Sequence, residues 1–385
     1  MQKEKYDIVI IGGGIIGASI AYELSQYKLN TLLLERNPVF ADETSKGNSG
    51  AIHGGFDPDP GKIEAKLNVL GNELWRTKIF KDLEFPRVQV DSLILAFNEE
   101  EMKHVHMLYE RGLINKVPKE FLKVITKEEV LKKEPNVNPE VHGALLCTSS
   151  WAIDPVRATY AFLGASEQNG TEVKASAEVV DIKFENDEFS IKLKNGEEIK
   201  SSLVINAAGH YADVLAEKAG YGDFKQTTRR GEYRILSRTE AGIVNSICFK
   251  VPTIHGKGVI VAPMLDGRVL VGPTAEEGVP KAETRLVTKE KFDYIGKIGK
   301  EIIPSIRLEK TEMTLAGSRP IDIATNDFVI RPAEKNAKFI NAAGMQSPAI
   351  ASAPAIAIEI AKLVEKAGLS LVKKENYNPK YKVRF

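Results

Sequence analysis

The chain opens on a short unbroken apolar run, Tyr6-Asp7-Ile8-Val9-Ile10-Ile11, and glycines follow at once. A run rich in β-branched residues with no alternation predicts a strand buried on both faces, as in a parallel sheet. From Ile15 to Tyr27 the apolar residues come first and the polar ones late, which predicts a helix. Thr31-Leu32-Leu33-Leu34 is a second buried run and ends in Glu35. The first 36 residues therefore predict one β-α-β unit.

The pattern then changes. Residues 40–60, FADETSKGNSGAIHGGFDPDP, are rich in Gly, Ser, Asn, Asp and Pro and predict a long irregular segment. Loops of that length are uncommon unless they have a task. Residues 61–82 predict a helix, as do stretches near 98–113 and 127–133. From about residue 170 alternating positions, broken at Glu-Asn-Asp and Lys-Asn-Gly-Glu, predict a hairpin or small meander. It ends in a buried run, Leu203 to Asn206, backed by Ala-Ala-Gly. Residues 230–275 are strand-like. The C-terminal stretch KFINAAGMQSPAIASAPAIAIEIAKLVEKAG reads as strand, glycine turn and long apolar helix. There is no internal repeat and no low-complexity linker, which predicts interleaved domains rather than a linear string of them.

Charge narrows the partners. The 53 basic and 52 acidic residues leave a net charge of +1. That balance gives no electrostatic footprint for nucleic acid and no polybasic membrane anchor. No apolar stretch approaches the ~20 residues that span a bilayer. The N-terminus lacks the charged-then-apolar layout of a secretory signal. Two cysteines, Cys147 and Cys248, sit far apart in apolar surroundings and read as buried small hydrophobes, with no metal site expected. Sparse cysteine fits a reducing, cytoplasmic setting. Peripheral membrane contact and oligomeric state stay open.

Gly12-x-Gly14-x-x-Gly17 follows the first predicted strand and opens the first predicted helix, and Glu35 lies 23 residues after Gly12. The first glycine permits a tight turn, the second lets backbone approach a pyrophosphate, and the third lets helix pack on strand. The helix N-terminus then offers amide N–H groups and partial positive charge to phosphates. A carboxylate at the end of the second strand can accept hydrogen bonds from ribose hydroxyls. The motif predicts a dinucleotide site but does not separate FAD from NAD.

Further segments separate them. NSGAIHGG at 48–55, INAAG at 205–209 and AAGMQSPA at 342–349 join ETSKGNSGAIHGG at 43–55, SWAIDP at 150–155, TTRRGEY at 227–233, PTIHGKGVIVAP at 252–263, LVGPTA at 270–275 and GSRPI at 317–321. As a set, over nearly the whole chain, they resemble the D-amino-acid-oxidase-like superfamily of FAD enzymes, and within it the small FAD-dependent glycerol-3-phosphate oxidases and dehydrogenases. The extra C-terminal domain and long insertion of larger relatives are not expected here. The resemblance implies an α/β fold: a discontinuous Rossmann-like FAD domain of the D-amino-acid-oxidase type, and an α+β substrate domain with an antiparallel sheet. The expected division is 1–80, 145–222 and 318–385 for FAD, with 81–144 and 223–317 for substrate.

His53 is the candidate base. Oxidising an alcohol sends a hydride to the flavin N5 and the hydroxyl proton to a base, and an imidazole suits that near neutrality. His53 lies among glycines in a loop, not on an apolar face. His104 and His106 read as surface residues of a charged helix, His142 and His210 as loop or turn residues, and His255 as a neighbour of Lys257 that could line a pocket. A phosphate monoester, with about −1.5 to −2 charges, needs cationic partners. Arg319 and Lys257 are the candidates, and Ser49 and Ser347 can add hydroxyl contacts. Arg230 reads equally well as an ion-paired structural residue.

For FAD the resemblance implies Ile16 in the first turn and Glu35 on the ribose. It implies Thr44, Ser45, Ser49, Gly50 and Ala51 along the flavin, Val179 at the adenine, and Met345 and Gln346 meeting the ring through backbone N–H groups. Glycerol 3-phosphate is the expected substrate, with O2 or another electron acceptor. An L-2-hydroxyglutarate oxidase or dehydrogenase shares NSG-x-IH, RGEY and VGP-like segments and stands second. A flavin amine oxidase stands third. A non-catalytic dinucleotide-binding interaction protein would keep the glycines and Glu35 but would have no use for His53, Lys257 and Arg319 together.

Overall fold

Alternate residues of the first strand, β1 (Tyr6–Ile11), belong to two different cores. Ile8 and Ile10 pack under helices, while Val9 and Ile11 pack on the opposite face. The two-residue period of a strand requires this once both faces are covered, and it explains why the run has no polar alternation. The computed structural model describes residues 5–251 and 258–384. Helix α1 (Ile15–Leu24) follows β1, and β2 (Thr31–Leu34) returns parallel to it, pairing Ile10 with Leu33. The β-α-β unit is as predicted.

These strands belong to an eight-stranded sheet. Glu172–Lys174 pairs parallel with β2, Glu198–Asn206 parallel with β1, and Asn336–Ala343 parallel with Glu198–Asn206. The antiparallel meander Val179–Glu185 and Glu188–Leu193 is appended at one side, and Val329–Ala333 pairs antiparallel with Asn336–Ala343. Helices Pro155–Gln168 and Ala349–Lys366 join α1 over one face, burying Phe162, Ile356 and Ile360 against Ile8 and Ile10. Each such side chain contributes about 1.5–3 kcal/mol when fully buried. Pro155–Gln168 starts where the sequence tells it to: Pro155 takes the first position, and the Asp154 carboxylate accepts from the Arg157 N–H at 3.0 Å.

A nine-stranded sheet forms the second layer. Its longest pair, Gln226–Leu236 with Thr311–Asp322, is antiparallel, and Val269–Gly272, Ile260–Pro263 and Ile247–Lys250 continue it. The expected antiparallel pattern is broken once, where Ile247–Lys250 runs parallel to Ser92–Ala96. There two stretches of the chain that are distant in sequence meet edge to edge, the second being the meander of Ser92–Ala96, Gly143–Cys147 and Leu122–Thr126. Two expected domain cuts, at 145 and 318, fall inside strands Gly143–Cys147 and Thr311–Asp322 of this sheet. A small third sheet, Ala51–Ile52, Trp151–Ile153 and Arg87–Gln89, carries the long irregular segment between the two layers. No helix among the described residues is long and apolar enough to cross a membrane.

Candidate active site

The glycine turn is built by contact distances that only glycine tolerates. Gly12 has φ +120°, and a Cβ on it would stand 2.2 Å from the Ala207 carbonyl oxygen. A Cβ on Gly17 would stand 1.9 Å from the Gly12 oxygen. Glu35 locks the same turn: its Oε2 accepts from the Gly13 N–H at 2.7 Å, and its Oε1 accepts from the Asn37 N–H at 2.8 Å. Burial pushes the Glu35 carboxyl up, and those two amide bonds pull it back down. A carboxylate has about four lone-pair sites, so two such bonds leave acceptor capacity for a ligand. At the head of α1 the Ser45 hydroxyl accepts from the Ile15 N–H at 2.9 Å. The amides of Ile16 and Gly17 are left by helix geometry without a partner inside the helix.

A cavity of about 300 Å³ opens from this turn and runs between the two large sheets. Toward the eight-stranded sheet its wall is Ile11, Gly12, Gly14, Leu34 and Glu35. Toward the nine-stranded sheet it is Tyr233, Phe249, Ile260 and Arg319. Ser49, Ala51 and His53 enter from the irregular segment, Val179 from the meander, and Met345 to Ile350 from the turn before the last helix. Of the expected site residues, Ile16, Thr44, Ser45 and Ser347 also line it. Gly17 and Gly50 do their work behind the wall: Gly50 has φ +68°, and a Cβ there would stand 2.2 Å from the Ile153 oxygen. Lys257, with His255, lies outside the described residues.

A long cavity with a glycine-walled, amide-bearing and carboxylate-bearing region, and a largely apolar stretch beyond it, fits a dinucleotide carrying a flat apolar ring. A Cβ on Gly14 would meet the Ser45 Oγ at 3.0 Å, so a side chain there would crowd this cradle. Ile16, Glu35 and Ser45 would hold such a group, with Val179 on the meander side.

His53 sits just past the strand Ala51–Ile52, with its ring 6.0 Å from that of Phe249. Its carbonyl oxygen accepts from Asn68 Nδ2 at 2.9 Å and from Asn72 Nδ2 at 3.2 Å. Gly54 lets this loop pack down, since a Cβ there would stand 2.4 Å from the Cys147 sulfur. Arg319 is enclosed by protein, and the part of it that stays accessible lies on the cavity wall. Burial lowers its pKa, opposed by the neighbouring Tyr233, and its Nη2 has no hydrogen-bond partner among the described residues. Burial likewise pushes the Tyr233 hydroxyl up to about 12. Arg230 is used structurally, pairing with Glu276 at 2.5 Å and Glu232 at 3.2 Å.

Two of the expected cofactor residues also make bonds within the protein. The Gln346 N–H donates to the Gly344 carbonyl at 2.8 Å, and its side chain turns to Glu64 and Asn326. That side chain clamps the turn. The Thr44 hydroxyl donates to the Ser318 carbonyl at 2.7 Å, so Thr44 ties the irregular segment to the strand that carries Arg319.

Sequence reasoning missed His210. It lies in the short turn Gly209–Tyr211 and is buried, with its Nε2 2.7 Å from the Ser318 oxygen and 3.2 Å from the Thr44 hydroxyl. Since Nε2 must donate to that carbonyl, Nδ1 is the acceptor, and it has no partner among the described residues. Burial pushes this imidazole down to about 4. The one sequence signal for it was its place directly after INAAG.

The fold and cavity define a dinucleotide-dependent oxidoreductase, and residues 7–363 match the family described as FAD dependent oxidoreductase (DAO), to which the chain belongs. FAD is accordingly its cofactor. Within the family it is similar to the glycerol 3-phosphate oxidase of Mycoplasma genitalium, with 47% identity over 97% of this chain and 98% of the relative. The solved structure of dithionite-reduced L-alpha-glycerophosphate oxidase from Mycoplasma pneumoniae with FAD bound superposes with a TM-score of 0.96 at 46% identity, over 100% of both chains. The L-2-hydroxyglutarate dehydrogenase of Escherichia coli K12 is 32% identical over 70% of this chain and 64% of its own length.

Proposed function

We propose that this protein oxidises sn-glycerol 3-phosphate at C2 to dihydroxyacetone phosphate, with O2 as the final acceptor and H2O2 as the second product. The observation that carries this reading is Arg319. Arg319 lies on the cavity wall with most of its guanidinium enclosed and one nitrogen without a partner among the described residues, and an anion in the cavity would balance that charge. A phosphate monoester, at about −1.5 to −2 charges, supplies both the charge and the acceptor oxygens. The likeness to glycerol 3-phosphate oxidases over nearly the full length supports the same substrate, and the L-2-hydroxyglutarate dehydrogenase likeness is weaker and partial.

In this reading Arg319 and Lys257 bind the phosphate, and Ser49 and Ser347 orient the glycerol hydroxyls. His53 takes the C2 hydroxyl proton at an imidazole nitrogen, leaving the C2–H bond free to break. FAD, when bound, would supply the two-electron acceptor for the hydride from C2, with O2 as the final oxidant. The His53 carbonyl bonds to Asn68 and Asn72 hold the base at a fixed depth in the cavity wall.

An anaerobic visible spectrum tests the substrate. Bleaching of the flavin band by glycerol 3-phosphate, but not by glycerol or 2-hydroxyglutarate, with peroxide formed on admitting air, is the expected result. Bleaching by 2-hydroxyglutarate alone would replace the substrate. A His53→Ala protein should keep its flavin and reduce it about 10²–10⁴-fold more slowly. An unchanged rate would remove His53 from the role of base.

A further inference from the structure

Tyr233 and Arg319 lie on neighbouring antiparallel strands, Gln226–Leu236 and Thr311–Asp322. In register, Arg319 pairs with Arg229, Gly317 with Gly231, and Leu315 with Tyr233. Paired residues, and every second residue along a strand, share one face of the sheet. Tyr233 and Arg319 are thus on the same face, and both line the cavity. Between phenol and guanidinium the two strands carry only the opposed Gly231 and Gly317, over about 13 Å of strand. We infer that Tyr233 is a substrate-binding residue, whose hydroxyl donates to an oxygen of the phosphate that Arg319 holds. The inference rests on the phosphate-substrate reading and adds a donor that the sequence motifs did not single out.

The Tyr233 ring is seated before any ligand arrives. A Cβ on Gly272 would stand 2.9 Å from its Cδ1, so the ring rests on bare backbone. It belongs otherwise to the apolar cluster of Phe249 and Ile260. Its hydroxyl is placed differently. It makes no hydrogen bond among the described residues. Nor is it one of the sealed, partnerless polar atoms of the interior, so it looks onto the cavity. A buried tyrosine hydroxyl ordinarily finds a partner. Here the partner comes from the cavity. Burial pushes the phenol up to about 12, so it keeps its proton and donates. Arg319 also makes no hydrogen bond among the described residues, and the two groups are near enough to interact electrostatically.

The shape of the anion gives the pair its use. A guanidinium fork takes two oxygens in its own plane. A carboxylate then has no further oxygen to offer. A phosphate monoester has a third terminal oxygen, out of that plane, which calls for a second donor. Tyr233 supplies that donor and thereby favours a tetrahedral anion over a planar one.

Tyr233→Phe removes only an oxygen that bonds nothing among the described residues. The FAD-loaded, substrate-free variant should therefore unfold at the parent's temperature. In anaerobic flavin reduction by glycerol 3-phosphate, half-saturation should rise about 10–100-fold, the scale of a lost hydrogen bond to a charged group, with the limiting rate within about 3-fold of the parent's. Inorganic phosphate, used as a competitor, should weaken by a similar factor. If the parent is reduced and the variant half-saturates at the same concentration, the inference fails alone. It also fails if only the limiting rate falls, which would put the phenol on the path of the proton instead. A parent that glycerol 3-phosphate does not reduce sinks the substrate reading and this inference with it. If the variant does not fold or hold FAD, a crystal structure of the chemically reduced parent with glycerol 3-phosphate decides. A phosphate oxygen within hydrogen-bonding distance of the Tyr233 hydroxyl supports the assignment, and a phenol bonded elsewhere overturns it.

Discussion

Gly47 and Gly317 meet backbone to backbone. A Cβ on Gly317 would stand 1.9 Å from the Gly47 carbonyl oxygen, and one on Gly47 would stand 2.6 Å from that of Ala316. The irregular segment that carries Ser49 and His53 is thereby laid directly across the strand that carries Arg319. The Thr44 bond to Ser318 fastens the same crossing one step away. Candidate base and candidate phosphate ligand are separated by most of the sequence, and this contact holds the segments that bear them together.

Gly317→Ala should therefore damage stability and site together. Forcing a methyl into a closed contact costs about 1–3 kcal/mol. Thermal unfolding should show that loss, and titration with glycerol 3-phosphate should show weakened binding in the protein that remains folded. Normal binding with only a lower Tm would mean that the crossing is structural and does not set the site.

Arg319→Met should have opposite effects on fold and function. It removes an incompletely paired buried cation, so the substrate-free protein should unfold at the same temperature or higher, as buried charges replaced by apolar residues of similar volume often do. Reduction by glycerol 3-phosphate should fall at least about 100-fold, the scale of a lost charge-assisted clamp. A destabilised variant with intact turnover would contradict both halves.

Glu35→Ala should release the cofactor. The carboxylate holds the Gly13 and Asn37 amides, so its loss loosens the glycine turn as well as removing an acceptor for a ligand. Flavin retained through gel filtration should drop sharply, and added FAD should restore less thermal protection than in the parent. Full flavin occupancy would show that the turn holds without it.

His210 makes stability depend on acid. In the fold its pKa is pushed down to about 4 by burial, while in the unfolded chain it is near the ordinary ~6.5. Between those values the unfolded state binds the extra proton. The contribution of neutral His210 is complete above about pH 6.5 and is lost as pH falls toward 4, with a slope of up to about 1.4 kcal/mol per pH unit. Denaturant unfolding from pH 7 to 4 should show this slope, and His210→Gln should flatten it. Parallel curves for parent and variant would mean that His210 is not a source of the acid lability.

The β-α-β unit and the long irregular segment were legible because each rests on local signals: an unbroken apolar run, glycines at fixed offsets, a loop too long to be idle; the two-layer fold was legible only through the family resemblance. His210 was not legible for the opposite reason. Its burial is made by Thr44 and Ser318, which approach only in the folded chain. The same holds for Gly47 and Gly317, each ordinary until the other arrives. Gln346 was expected to reach the ring through its amide, but local turn geometry claims that N–H first. The cuts at 145 and 318 failed to respect strands because composition does not change where the chain passes from one sheet to the other.

The cavity takes its walls from both ends of the chain, Ile11 at one and Ile350 at the other. A ribosome making this protein delivers the glycine turn long before the wall at Met345 to Ile350. A chain that stops short of Met345 lacks part of the pocket wall, so it should hold flavin less well than one that includes it. A shortage of flavin would then fall on folded apoprotein, which lacks the stabilisation that bound cofactor adds.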